Sequence, residues 1–168
     1  FNDLACVNGS FNRNAVIKKN LSKWINGKYG IHLLRTVCLL PWPHFTGFFD
    51  PHFASPYTKT ELKTVWNTYP DKLSETMGHK FRSNNDVNQW LFRYWRLCSG
   101  RFYPRHPTRH KGYFTMKDNP DKIRAALIKG NYKEIVLNDD DVPDFYGKMK
   151  IITEGFENLL PGKSSFEL

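Results

Sequence analysis

The sequence predicts a helix-rich fold of the α/β to α+β class, with a small parallel βαβ unit in its C-terminal third. Three observations lead there. Apolar residues recur at helical spacing in several segments, among them 13–26, 58–68, 84–98 and 143–160. Two short apolar runs, 112–117 and 132–139, flank a capped helical segment, and a strand–helix–strand run this compact gives parallel strands joined by a right-handed crossover. The chain has 168 residues, 40% hydrophobic and 15% aromatic, which is enough to bury a core as one domain or a large piece of one.

The elements follow in order. RNAVIKKNLSKWIN (13–26) reads as a basic amphipathic helix, with Val16, Ile17, Leu21, Trp24 and Ile25 on one face and Lys18, Lys19 and Lys23 off it. HLLRTVCLL (32–40) suits helix or strand, and Pro41 and Pro43 end it. Residues 41–57 form an aromatic-rich loop with four prolines, of a length that is often functional. TKTELKTVWNT (58–68) is a helix opened by a capping box, Thr58 with Glu61 three residues on. DKLSETM (71–77) adds one or two turns. A helix over 84–98 follows, capped by Ser83 or Asn84, with Val87, Trp90, Leu91, Tyr94, Leu97 and Cys98 as its apolar stripe and Gly100 as its stop. A basic, proline-containing loop covers 101–112. GYFTMK (112–117) is a strand, Asn119-Pro120 starts a helix that Gly130 ends, and YKEIVLND (132–139) is a second, mostly apolar and so buried strand. The last helix, 143–160, turns Val142, Phe145, Met149, Ile152, Phe156, Leu159 and Leu160 inward. Trp24 and Trp42 read as core or interface residues.

Charge and cysteine usage narrow the function. The formal net charge is +9, unevenly placed: 18 Lys/Arg against 7 Asp/Glu over 1–118, and 7 against 9 over 119–168. A basic front portion points to an anionic partner, whether nucleic acid, an acidic membrane surface or a phosphorylated substrate. There is no RNP-type signature and no zinc-finger spacing, so specific nucleic-acid recognition is not expected. Cys6, Cys38 and Cys98 are widely spaced and form no CxxC, as for reduced, partly buried thiols in a cytoplasmic protein. No run approaches the ~20 apolar residues of a membrane span, and no signal peptide is visible. The chain opens on Phe1-Asn2-Asp3 without a methionine, which suggests a piece of something longer.

Four places could carry chemistry. His52, in the proline-pinned Asp50-Pro51-His52, suits a general acid/base or a phosphate-binding imidazole, or is an ordinary loop histidine. His79, Lys80, Arg82 and Asp86 surround the expected helix start, where a guanidinium and free amides suit a phosphate; equally, Asp86 could offset the helix dipole and pair with Arg82. Asn138-Asp139-Asp140-Asp141 lies at the carboxyl end of the second strand, where ligands of α/β sheets gather. An amide with adjacent carboxylates suits a hard divalent cation, Mg²⁺ or Mn²⁺, or else one aspartate caps the next helix. The loop with Arg101, Arg105, His106, Arg109, His110 and Lys111 could bind an anionic sugar-phosphate, a membrane surface or nucleic acid, or be merely solvated.

Taken in order, HFASPYTKTELKTVW, LSETMGHKFRSNNDVNQWLFRYWRLCSG, YKEIVLNDD and ENLLPGKSSFEL resemble the third and fourth conserved regions of Stealth-type phosphotransferases. These include bacterial capsular polysaccharide phosphotransferases and the animal enzyme that tags lysosomal glycoproteins with N-acetylglucosamine 1-phosphate. The resemblance covers roughly 46–168, leaving 1–45 as a basic helical lead-in with a weaker match. It implies the C-terminal half of a nucleotide-sugar transferase fold, without the family's first two regions and their acidic motif, so the fragment alone is not expected to be fully active. The implied reaction moves a sugar 1-phosphate from a UDP-sugar donor to a hydroxyl of a glycan acceptor and releases UMP, as in capsular or exopolysaccharide synthesis. By motif, His52 matches the family's essential histidine after a proline. Arg82 and Asp86 match its FR-x-x-x-D segment, His79 the histidine three residues before that arginine, and Asn138 and Asp139 its LND motif. The resemblance makes His52, Arg82 and Asp86 catalytic, His79 and Lys80 substrate-binding, and Asn138 and Asp139 ligands of Mg²⁺ or Mn²⁺, with KSSFEL as a packing element; Arg105, in the basic loop, is expected to bind substrate through its charge. It places the enzyme in the cytoplasm, in peripheral contact with anionic membrane at its inner face. The alternative is a non-catalytic basic module that docks on anionic membrane or a glycan carrier.

Overall fold

A computed structural model describes residues 2–166, and the chain forms two compact units. The first comprises Phe1–Asp50 and Ala54–Pro107, and the second Pro51–Phe53 and Thr108–Leu168.

The first unit is helical. It contains α1 (Asn2–Ser10), α2 (Arg13–Lys19), α3 (Leu21–Trp24), a 3₁₀ turn (Gly27–Tyr29), α4 (His32–Cys38), α5 (Lys59–Thr68), α6 (Pro70–Gly78) and α7 (Gln89–Cys98). Its core gathers Val7, Val16, Phe45, Val65, Leu73, Val87, Leu91, Tyr94 and Cys98, with Trp24 set among the rings of Phe45, Phe48 and Phe102. The capping box of α5 is complete: the Glu61 amide donates to the Thr58 hydroxyl and the Thr58 amide to the Glu61 carboxylate. The segment 32–40, ambiguous by pattern, is helical as far as Cys38.

Several expectations change. The single helix over 13–26 breaks at Asn20, whose side chain donates to the Val16 carbonyl, and Leu21 is exposed. Gly100 accommodates the Asn20 side chain: with φ at +70°, it lies so close that a Cβ there would sit 2.2 Å from Oδ1. The helix expected from 84 starts five residues later. Asn88, not Ser83 or Asn84, is its cap and accepts the Trp90 amide. Trp90 is half-buried, and Val87 precedes it in the core. α1 has no counterpart in the sequence reading. NDLACVNGS is a poor helix former, but Val7 is fully buried, and Asp3 and Asn2 bond to the backbone of 84–88.

The second unit holds β1 (Lys111–Thr115), α8 (Pro120–Lys129), β2 (Glu134–Asn138) and α9 (Phe145–Leu159). β1 and β2 pair in parallel, in register from Lys111 with Glu134 to Thr115 with Asn138. Asn119 caps α8 ahead of Pro120, and Gly130 ends it in the left-handed region. Phe114, Met116, Ile123, Leu127 and Ile152 form the core. β2 is half-buried rather than buried. On α9, Ile152 is buried and Val142, Phe145 and Met149 pack against the core, whereas Phe156, Leu159 and Leu160 face solvent. Residues 163–166 of the closing KSSFEL are exposed, which overturns their packing role; Glu167 and Leu168 lie outside the described residues, as does Phe1.

Candidate active site

Five of the predicted site residues lie in the first unit and three in the second. In the first, the loop between α6 and α7 carries His79, Lys80, Arg82 and Asp86. Because α7 begins only at Gln89, Arg82 does not stand at a helix N-terminus, and Asp86 is not in the first helical turn. Asp86 does not brace Arg82 either. Its Oδ1 lies 2.6 Å from His79 Nδ1, and its Oδ2 accepts the Ser83 amide at 2.6 Å. The Ser83 amide, then the His79 side chain, hold its carboxyl below the usual aspartate value. With both oxygens engaged, Asp86 pins His79 by Nδ1 and leaves Nε2 as the ring's other polar edge. Lys80 and Arg82 are exposed beside it, Lys80 lying over the Phe81 ring.

A second carboxylate organises α7 and the loop before His52. Arg93 donates to Asp50 and to the Phe49 carbonyl, and the Tyr94 hydroxyl bonds the other Asp50 oxygen. Burial and the Asp50 bond push the Tyr94 hydroxyl pKa upward. Arg105 is exposed and within electrostatic range of Arg93, whose pKa burial lowers. Sequence reading quoted Asp50 but missed Arg93, Tyr94 and Asp3. Asp3 is a buried carboxylate, raised by desolvation, that accepts the Asn88 amide and feels the charge of Arg82. A basic residue beside an apolar helical stripe was the available signal for Arg93; no local pattern announces Asp3.

In the second unit the His52 ring lies 6.0 Å from that of Tyr113, centroid to centroid, on β1. Phe53 meets the same ring edge-on at 6.5 Å, and Lys111 Nζ sits 4.6 Å over Phe53 while pairing with Glu134. Asn138 ends β2, and Asp139 follows it; both are exposed. Asn138 Nδ2 donates to the Asp139 carbonyl at 3.0 Å, which leaves Asn138 Oδ1 and the Asp139 carboxylate as two oxygen donors. Asp140 pairs with Lys117 at 3.3 Å, and the cap of α9 is Asp144, not one of Asp139–Asp141. Among the described residues no group of three or more His, Cys, Asp or Glu is placed to hold a metal ion. The pair at 138–139 therefore fits a hard cation only as a partial, oxygen-donor site, whose remaining positions water or phosphate would fill.

Residues 51–95 match Stealth protein CR3, conserved region 3. Over 167 residues, 99% of this chain, the sequence is 37% identical to a capsular polysaccharide phosphotransferase WcwK of Streptococcus pneumoniae, of which it covers 50%. Through region 3 the chain is similar to the Stealth family, and along its whole length to polysaccharide phosphotransferases. It is also 34% identical over 168 residues to the exopolysaccharide phosphotransferase cps2G of Lactiplantibacillus plantarum, covering 99% of the chain and 49% of that protein. With the receptor polysaccharide phosphotransferase WefC of Streptococcus gordonii it shares 29% over 169 residues, again 99% against 50%. The chain spans about half the length of the curated relatives it matches. No solved structure matches it. Stealth region 3 takes in His52, the 79–86 loop, Arg93 and Tyr94, while Asp50, Arg105, Asn138 and Asp139 lie outside it.

Proposed function

We propose that this chain is part of a Stealth enzyme that transfers a sugar 1-phosphate from a UDP-sugar to a glycan hydroxyl, making phosphodiester links in capsular or exopolysaccharide synthesis. The observation that carries the reading is the 79–86 loop inside Stealth region 3. Its only carboxylate is engaged with His79 and the Ser83 amide, so Lys80 and Arg82 present exposed positive charge beside His79.

Phosphoryl transfer asks a protein mainly for positioning and charge neutralisation. Arg82 forks onto phosphate oxygens of the donor, and Lys80 adds charge beside it. His79, held by Asp86, donates or accepts at Nε2 in a fixed direction, and Arg105 adds to the cationic lining. The acceptor oxygen attacks the phosphorus that bears the sugar, the bond from that phosphorus to the bridging oxygen breaks, and UMP leaves. His52 takes the acceptor proton or donates to a phosphate oxygen. Asn138 and Asp139 are the residues that would hold Mg²⁺ or Mn²⁺, which when bound supplies neutralisation of the diphosphate charge. We place this activity in the cytoplasm, in peripheral contact with the anionic inner face of the membrane. The relatives matched along the whole chain are named phosphotransferases, which favours catalysis over a purely non-catalytic docking module.

The test is Arg82→Ala in the complete enzyme, followed by UMP release from a UDP-sugar. Because Arg82 is exposed, the fold should survive, while turnover should fall by about 10²–10³. Normal turnover would defeat the role assigned to Arg82.

A further inference from the structure

The surface formed by α4 and the segment after it has the wrong polarity for water. The helix turns His32, Leu33 and Thr36 toward the protein, all half-buried. It turns Ile31, Leu34, Val37 and Cys38 outward, and Leu40 and Trp42 continue the exposed run. Ile31 is 76% exposed, Leu34 64% and Trp42 56%, too open for side chains at the edge of a core. They also stand on a braced segment. The buried guanidinium of Arg13 donates to the carbonyls of Leu39 at 2.7 Å, Leu40 at 3.0 Å and Trp42 at 2.7 Å. The guanidinium thus ties down the C-cap of α4 and the turn that follows it. Here it fixes the backbone from beneath, so the apolar side chains are held outward.

Charge in the stretch of chain that carries this face runs one way. Between Asp3 and Asp50 there is no Asp or Glu at all, while Arg13, Lys18, Lys19, Lys23, Lys28 and Arg35 fall in that interval. Arg13 is used internally, and Lys23 donates to the Gly100 carbonyl. Lys18, Lys19, Lys28 and Arg35 are exposed, and no salt bridge engages them among the described residues. We propose that the Ile31–Trp42 face is a membrane-docking surface that inserts Ile31, Leu34, Val37 and Trp42 among the headgroups of an anionic bilayer, with Lys18, Lys19, Lys28 and Arg35 at the lipid phosphates. Amphipathic surfaces of this composition bind where buried apolar area and attraction to anionic lipid act together, and tryptophan favours that interfacial depth. A second copy of the chain would bring the same cations face to face. A nucleic acid would have no use for Ile31 and Leu34. This surface gives a place to the peripheral membrane contact in the proposed function and does not depend on the transfer chemistry.

The experiment is co-sedimentation of this chain with vesicles of phosphatidylcholine alone and of phosphatidylcholine with phosphatidylglycerol. Binding is expected only with phosphatidylglycerol, and it should weaken as salt rises. The Leu34→Glu/Trp42→Glu double variant, changed at solvent-exposed positions only, should lose about tenfold or more in apparent affinity. A second measurement covers failure of that variant to fold. An environment-sensitive fluorophore on exposed Cys38 of the otherwise unaltered chain should shift to the blue with the anionic vesicles. No anionic binding, binding unchanged in the folded double variant, an unmoved Cys38 probe, or a dimer that Leu34→Glu dissociates would each overturn the proposal. Because the readout is lipid binding, failure of Arg82→Ala to affect turnover leaves it standing, and the converse holds as well.

Discussion

Asp86 makes its contacts inside its own loop. Oδ1 fixes His79 and Oδ2 accepts the Ser83 amide, and neither oxygen bonds Arg82. A carboxylate with a depressed folded pKa keeps its stabilising contacts above the unfolded value and surrenders them as pH falls through the folded one. For Asp86 that window lies below the usual 3.8. The Ser83 amide proton resonance should therefore titrate with a midpoint below that value, and Asp86→Ala should remove the transition; a midpoint at or above 3.8 would contradict the arrangement. The residue types of this site were legible: His79, Lys80, Arg82 and Asp86 cluster in thirteen consecutive residues, 78–90, dense in polar groups. Their partners were not. Pairing Asp86 with Arg82 assumed helical spacing that the loop does not have, and His79 is seven residues away from Asp86. The Asp50 clamp joins residues 43 and 44 apart in sequence, beyond any local pattern.

Helix ends separate what sequence can state from what tertiary structure decides. The Thr58–Glu61 box, the Asn119-Pro120 start and the Gly130 stop all fall where the chain's own signals put them, because each is a bond between neighbours. α7 is different. Ser83 and Asn84 are chemically competent caps, yet Asn2 takes the Asn84 and Asp86 carbonyls, and Asp3 takes the Asn88 amide. Those bonds hold 84–88 out of the helix, with 84 and 85 in a turn, and delay the helix to Gln89. Asn88→Ala should accordingly cost about 1 kcal/mol in urea unfolding, while Asn84→Ala, an exposed residue that caps nothing, should stay within roughly 0.5 kcal/mol. Equal losses would return the start of α7 to its expected place. Asn20 likewise has a distant neighbour, since Gly100, which lies against its side chain, is 80 residues along the chain.

On the scale of the whole molecule, two cores with no shared residue support the two units. The βαβ unit was legible because its signals are local. The helical unit was legible only in part, since α1 owes its helicity to contacts with the α7 region. Ile152→Ala, at a site 1% exposed, should cost about 2–5 kcal/mol. Hydrogen-exchange protection should then be lost in β1, α8, β2 and α9 before it is lost around Val7 and Leu91. Uniform loss along the chain would show a single cooperative block instead. The bonds from Asn2 and Asp3 to residues 84–88 also set an order in time. On a ribosome, α1 emerges before α7, and Asp3 lacks its amide partner until a further 85 residues have been made. At 5–20 residues per second that is a wait of roughly 4–17 s. Through that interval Val7 and the rest of α1 have no α7 to cover them, so nascent chains stalled short of Asn88 expose a segment the finished protein hides.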